Sequence, residues 1–556
     1  MSVVLDRFFE HYYRRRPVNA TFTGVHEYDT ILPDWSRHGL ATQRDEMAVL
    51  HAELVVAHPA PGGEHRYHDD PDLLDAELAR AYLEIQLAED AGLHGVRGNP
   101  ALWSGEAVFS VIALMIREFA PLGDRIDAAT ARLNALPAFL AEAAETTRDR
   151  AFPECWVARA LRDCQGAALL LAGGIDCWLA SGVCAPSQAT SLRRAADKAL
   201  LAVERFSEFV RSRDRAPDDS ASCGAECLDR LLHRGHQCTR ARADLHAAAR
   251  AQLGEEQGRL DTMMRAHAAE WPDIQRRLAD EHPTADDYLA TFARLWHACR
   301  DTARTHDAVT WPDWPLRYTT IPEFTREAAP YLYYLYYRSP APFDAYHVHD
   351  YVVPALPAQH EEQHLRAWNN SVIKLNHVVH HGALGHHVQN WHAYHRATSR
   401  VGKIAAVDCA NRIGMFGGGT MAEGWACYAT QVMDELGFLS PLEQLSEQHS
   451  RVRFLARALV DIGFHEGSLT FRDAIDVFVT EARMDSGVAH AEAVKCSMFP
   501  GTALMYWLGT QGILELREQR RRRQGASFTL RAFHDELLGY GSIPVPLVSR
   551  LMAPSP

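Results

Sequence analysis

The sequence predicts a mainly α protein with a small β-sheet element near residues 318–355. Three observations carry this prediction. Between Leu40 and about Thr310, long segments rich in Ala, Leu, Arg and Glu set apolar residues at helical spacing. Proline and glycine clusters divide these segments, where helices are interrupted. From Tyr318 the composition shifts towards tyrosine, threonine and valine, which favour strands.

In order, residues 5–16 form an amphipathic helix that stops at Pro17, because proline is poorly tolerated inside a helix. Residues 29–36 are turn-rich. Helical periods follow at 72–91, 124–147, 155–179, 192–213 and 241–271, with breaks at 59–63, at Gly98-Asn99-Pro100 and at 216–224. Strands are expected at 318–322 and 347–353, and the tyrosine-rich stretch 331–337 has strand composition or could line a pocket. Residues 1–310 are expected to form a helical wall and residues 311–556 to carry the site, within one compact unit.

Composition narrows the function. The chain has 556 residues, 47% of them hydrophobic and 23% charged, the profile of a soluble globular protein. A formal charge of −14 argues against non-specific nucleic-acid binding, which needs a basic surface. No run approaches the roughly twenty apolar residues of a membrane span. Eleven scattered cysteines and an N-terminus with no signal-like apolar core lead us to expect a cytoplasmic protein. Cys223, Cys227 and Cys238, with His233 and His236, lack the paired spacing of a structural zinc site. The arginine run at 520–523 reads as a helix end complementing its dipole.

The chemistry concentrates between Leu375 and His395. This stretch holds His377, His380, His381, His386, His387, His392 and His395. Six residues is the wrong rotation for His380 and His386 to share a face of an unbroken helix. Gly382 and Gly385 lie between them, and two glycines in four residues favour a bulge or break that would bring the two together. The flanks are apolar, so the histidines are expected to be buried and to need partners. A shared metal supplies them, and hydrogen bonds to core groups are the alternative. His360-Glu361-Glu362-Gln363-His364 spells a metallopeptidase pattern, but its charged interior and the nearby Pro357 place it on an exposed helix start. A third ligand is best supplied by Glu423. It follows three glycines and Thr420, a good helix cap, and sits among Met421, Ala422, Trp425 and Ala426. A carboxylate complementing the helix dipole is the competing reading.

These residues resemble the bacterial family catalogued as domain of unknown function 885, whose members resemble gluzincin-type helical metallopeptidases. The family pattern His-Glu-x-x-Pro-Gly-His-His, then Glu-Gly-Trp-Ala-x-Tyr, is met by His380-His381-Gly382-Ala383-Leu384-Gly385-His386-His387 and Glu423-Gly424-Trp425-Ala426-Cys427-Tyr428. Further matches run from Arg16-Pro17-Val18-Asn19-Ala20-Thr21, through Asp461-Ile462-Gly463-Phe464-His465 and Pro500-Gly501 with Tyr506, to Gly541-Ser542-Ile543-Pro544. The chain also departs from the pattern. His381 stands where the family has its general-base glutamate, Leu384 replaces proline, Lys495-Cys496 replaces Arg-Tyr, and Thr430 replaces an acid.

The resemblance implies a metal-dependent, hydrolase-like enzyme acting on a small molecule or short peptide, and the charge and hydropathy lead us to expect no nucleic-acid or membrane partner. His380, His386 and Glu423 would hold zinc. Tyr506 and His465 would stabilise an oxyanion, and His381 would act as base or as a further ligand. With the glutamate gone, the scaffold could instead serve a biosynthetic lyase or cyclase holding iron, nickel or copper, or a binding protein without catalysis.

Overall fold

The structure is a computed structural model that describes residues 2–58, 70–90, 92–332, 341–345, 349–409, 412–413 and 416–553, with the backbone alone at 408–409, 412–413 and 416. Helices dominate it, as the sequence predicts. Val3–Arg15 ends before Pro17, which opens the next helix, Pro17–Thr23. The segments expected at 72–91, 124–147 and 192–213 fold as Pro71–Glu89, Leu122–Thr146 and Pro186–Ser212. The segment expected at 155–179 is one helical path, Glu154–Leu169 and Ile175–Ala180, joined by a π turn at Leu170–Gly174. The period at 241–271 divides into Arg242–Ala266 and Trp271–Asp280. At Gly98-Asn99-Pro100 the Asn99 side chain accepts the Ala101 amide and Pro100 is the first helical residue. The Asn99 side chain satisfies one orphan amide of the helix start, and proline removes another because it carries no N–H. The expected break at 59–63 and the tyrosines from 333 to 337 lie outside the described residues.

Strands are few and short. Leu316–Thr320 and His349–Val353 pair in parallel, with Leu316 opposite His349 and Thr320 opposite Val353. Two further pairs, Phe152–Pro153 with Arg215–Ala216 and Asp408–Cys409 with Arg412–Ile413, have two residues per strand. Tyr331 closes a short 3₁₀ turn, Ala329–Tyr331.

Two hydrophobic cores hold the helices together, and both cross the boundary expected near residue 310. One is built on Trp103, Phe109, Trp156 and Trp178 and also takes Leu459, Phe464 and Leu504. The other joins Phe8, Leu54 and Leu83 to Val379, Leu384, Trp425 and Val548. The first helix thus packs in the same core as the histidine segment.

Candidate metal centre

The histidine segment folds as a helix that breaks where the glycines predict. Asn370–Val372 runs into a π-helical stretch, Ile373–Gly382, and a regular helix resumes at His386–Arg396. At the break, Ala383 and Gly385 leave helical geometry with ψ of −113° and −119°. Gly385 is required there: a Cβ on it would lie 1.8 Å from the His380 carbonyl oxygen. A break frees backbone carbonyls that need donors. Two buried tryptophans supply them. The Trp296 indole donates to the Gly382 carbonyl at 2.6 Å, and the Trp425 indole donates to Leu384 at 2.8 Å and Gly385 at 3.2 Å. The Gly385 amide reaches back to the Val379 carbonyl at 2.8 Å, closing the kink.

This kink converges three of the seven histidines. Ring centroids of His380, His381 and His386 lie 4.6, 4.9 and 5.3 Å apart in pairs. Their ligand atoms fall within 4.8 Å of one another, the one such group of His, Cys, Asp or Glu side chains among the described residues. Glu423 meets them from the helix Gly419–Glu435, with one carboxylate oxygen 3.4 Å from His380 Nε2 and 3.7 Å from His386 Nε2. That helix starts before the expected cap: Thr420 is inside it, and its hydroxyl accepts the Val545 amide. The helix can reach the site because Gly424 packs directly on Gly509, and a Cβ on Gly424 would lie 2.5 Å from the Gly509 Cα. The same contact brings in the helix Met505–Gln524, which carries Tyr506.

The other four histidines have protein partners, and three of them, His377, His387 and His392, are core residues, whereas His395 is exposed rather than buried as expected. His377 is hydrogen-bonded to the Tyr351 hydroxyl at 2.6 Å and stacks on Trp368. His387 donates to the Trp314 carbonyl, His392 to Thr310 and His395 to Trp391. His465, expected near an oxyanion, is fully buried elsewhere. Its Nε2 donates to the Cys496 carbonyl and its Nδ1 accepts the Cys223 amide, so both nitrogens serve the backbone. His360 is exposed, and His364 stacks on Trp368 beside the Tyr288 hydroxyl. Neither joins the cluster, as their context predicts.

The donors suit a metal. Burial pushes His386 down to about 4, with His380 adding to this and Glu423 opposing it. Burial, with the charges of His380 and His386, also sets His381 well below its ordinary value. These two imidazoles are neutral near pH 7. Burial opposes ionisation of Glu423, but its contact with His380 and the charges of His386 and Lys495 outweigh it, holding the carboxyl well below its usual range. Separations of 3.4 and 3.7 Å are long for charge-assisted hydrogen bonds. They suit two ligands at about 2.1 Å from one tetrahedral ion, which stand about 3.4 Å apart. His381 Nδ1 donates to the Asn376 carbonyl at 2.6 Å, leaving the Nε2 lone pair available.

A cavity of about 500 Å³ opens onto the cluster, with His381, His386, Glu423 and Tyr506 among its walls. Tyr506 stacks on Phe454 and takes a hydrogen bond from Lys495 Nζ at 3.3 Å. Arg457 lies over its ring, 4.8 Å from the centroid, and is held by Glu492. The far wall includes Arg16, Tyr82 and Gln86 from the N-terminal helices. The indole donors and these basic residues were not among the site residues the sequence indicates. Lys495 had one signal, its position in a departure from the family pattern.

The helical scaffold thus gathers three imidazoles and a carboxylate beside a cavity, a donor set that could hold a metal. The chain belongs to the family described as "Bacterial protein of unknown function (DUF885)", whose model matches residues 17–552. Two solved structures share the fold. One is described as a "putative lipoprotein of unknown function from Shewanella oneidensis", at 19% identity and a TM-score of 0.75, covering 99% of this chain and 98% of that one. The other is described as a "putative lipoprotein from Colwellia psychrerythraea", at 18% identity and a TM-score of 0.76, covering 98% of each chain. Among curated proteins none matches. No described helix is long and apolar enough to cross a membrane.

Proposed function

We propose that this protein is a metal-dependent, hydrolase-like enzyme for a small peptide or amide-like substrate, with His380, His386 and Glu423 holding zinc. The observation that carries the proposal is the approach of Glu423 to both histidines at ligand spacing, beside a cavity of small-molecule size. A zinc ion held there would supply Lewis acidity, to polarise a carbonyl and lower the pKa of bound water. The resemblance to gluzincin-type peptidases supports the same reading.

The chain's own groups then divide the work. His381 Nε2 carries the lone pair that accepts a proton, with Asn376 fixing the tautomer through Nδ1. The Tyr506 hydroxyl, held by Lys495, donates to a developing oxyanion.

The convergence of His381 with His380 and His386 also favours a second reading, in which it is a third nitrogen ligand and the chemistry departs from hydrolysis. His381→Ala separates the two. As base, His381 can be removed with metal retained and a loss on the order of a hundredfold in hydrolysis of small peptide amides. As ligand, its removal weakens metal binding and changes the cobalt-substituted absorption spectrum. His381→Glu is expected to preserve or raise hydrolysis. Metal-replete protein with no turnover on a panel of dipeptides and acylated amino acids, in either form, would end the hydrolase reading.

A further inference from the structure

The cavity lining holds more cationic than anionic side chains. The formal charge of the chain is −14, yet the cavity walls carry five arginine or lysine side chains against three carboxylates. Of those carboxylates, Glu423 faces the histidines and Glu492 is paired with Arg457; of the cations, Arg159 is paired with Asp163 and Arg234 with Glu84, which lie behind the walls. Basic side chains in a low-dielectric cleft focus a positive field on whatever enters. Lys495 is the cation that reaches the Tyr506 hydroxyl, whereas Arg457 lies over the ring and is held by Glu492. Lys495 is half-buried, its Nζ lies 3.3 Å from the Tyr506 hydroxyl, and its charge acts on Glu423. The remaining wall is largely apolar, with Val488, Val494, Met498 and Ile543 among its lining residues. A volume of about 500 Å³ is that of a small-molecule site. It has no room for a folded domain.

We propose that the substrate is a small amide carrying a carboxylate, with Lys495 receiving the carboxylate beside Tyr506 and an apolar substituent lying along Val488, Met498 and Ile543. This rests on the hydrolase-like reading and specifies its substrate class. An N-acylated amino acid and a short peptide with a free C-terminus share this chemistry, and they differ in the free amine of the peptide.

The test is equilibrium binding of N-benzoylglycine, its carboxamide and glycylphenylalanine to metal-replete and chelator-treated full-length protein. Chelator treatment removes any direct bond between the carboxylate and a metal. The acid is expected to bind at least tenfold tighter than its carboxamide in both preparations. Lys495→Gln is expected to bring the two within twofold, and Lys495→Arg to keep the preference. Tighter binding of the acylated glycine than of the dipeptide assigns the carboxylate to an acylated amino acid, and the reverse assigns it to a peptide. Equal binding of acid and carboxamide, a preference that vanishes with the metal, or a preference unchanged in Lys495→Gln would each overturn the inference. Metal uptake, measured on the same samples, keeps the two proposals apart: protein that takes up no metal but still prefers the acid sinks the enzymatic reading alone.

Discussion

Replacing Trp425 by Phe removes one N–H from the point where the histidine helix breaks. The indole serves two carbonyls, Leu384 at 2.8 Å and Gly385 at 3.2 Å, and the side chain is fully buried. Phenylalanine keeps an aromatic ring in the core but leaves those carbonyls without this donor. A buried acceptor stripped of its partner costs about 1–3 kcal/mol. The cost falls on the segment that sets the spacing of His380 and His386, so metal affinity is expected to weaken at least tenfold along with stability. Trp103→Phe is the matched control. Trp103 is equally buried and donates to the Val96 carbonyl at 2.7 Å, in the other core. Its loss should cost a similar amount of stability and leave metal affinity unaltered. Urea denaturation measures the first quantity and competition with a chromogenic chelator the second. If Trp425→Phe loses stability but binds metal as tightly as the parent, the indole does not position the ligands and the reasoning fails.

Two other outcomes are expected. Changing both His360 and His364 to Gln should leave metal content unchanged, as read by elemental analysis, because neither reaches the cluster; loss of metal would place the centre at the wrong motif. His26 joins Asp29 and Asp344 at 2.8 Å each, and although burial opposes its charge, the two carboxylates raise it to about 9. Its folded value lies above the unfolded value of about 6.5, so its contribution to stability is full below about pH 6.5 and lost as pH rises through about 9. His26→Gln should therefore destabilise the protein more at pH 6 than at pH 9.5 in urea titrations, and an equal effect at both would contradict the assignment.

Local signals made part of this legible. The helices follow period and proline breaks, and the paired strands at Leu316–Thr320 and His349–Val353 follow composition. Gly382 and Gly385 announced the break that joins His380 to His386, because a side chain at Gly385 would meet the backbone. Long-range contacts hid the rest. In sequence, His377, His387 and His392 look like His380 and His386. They are separated from them only by Tyr351, Trp314 and Thr310, which satisfy them from distant segments. The indoles act across 86 and 41 residues, beyond any periodicity. His465 matched a family pattern, yet its neighbours Cys223 and Cys496 hold it in the core. The cavity joins Arg16 to Tyr506, and no local pattern connects residues so far apart.

The most direct test is the metal content of tag-free protein, measured by plasma mass spectrometry after purification with zinc and again in competition with iron, nickel and copper. About one equivalent of transition metal is expected in the parent, as for a single three-ligand site. His380→Ala combined with His386→Ala should lose it, and Glu423→Gln should bind it more weakly. Full retention of metal in the double variant would contradict the assignment of these residues as the centre.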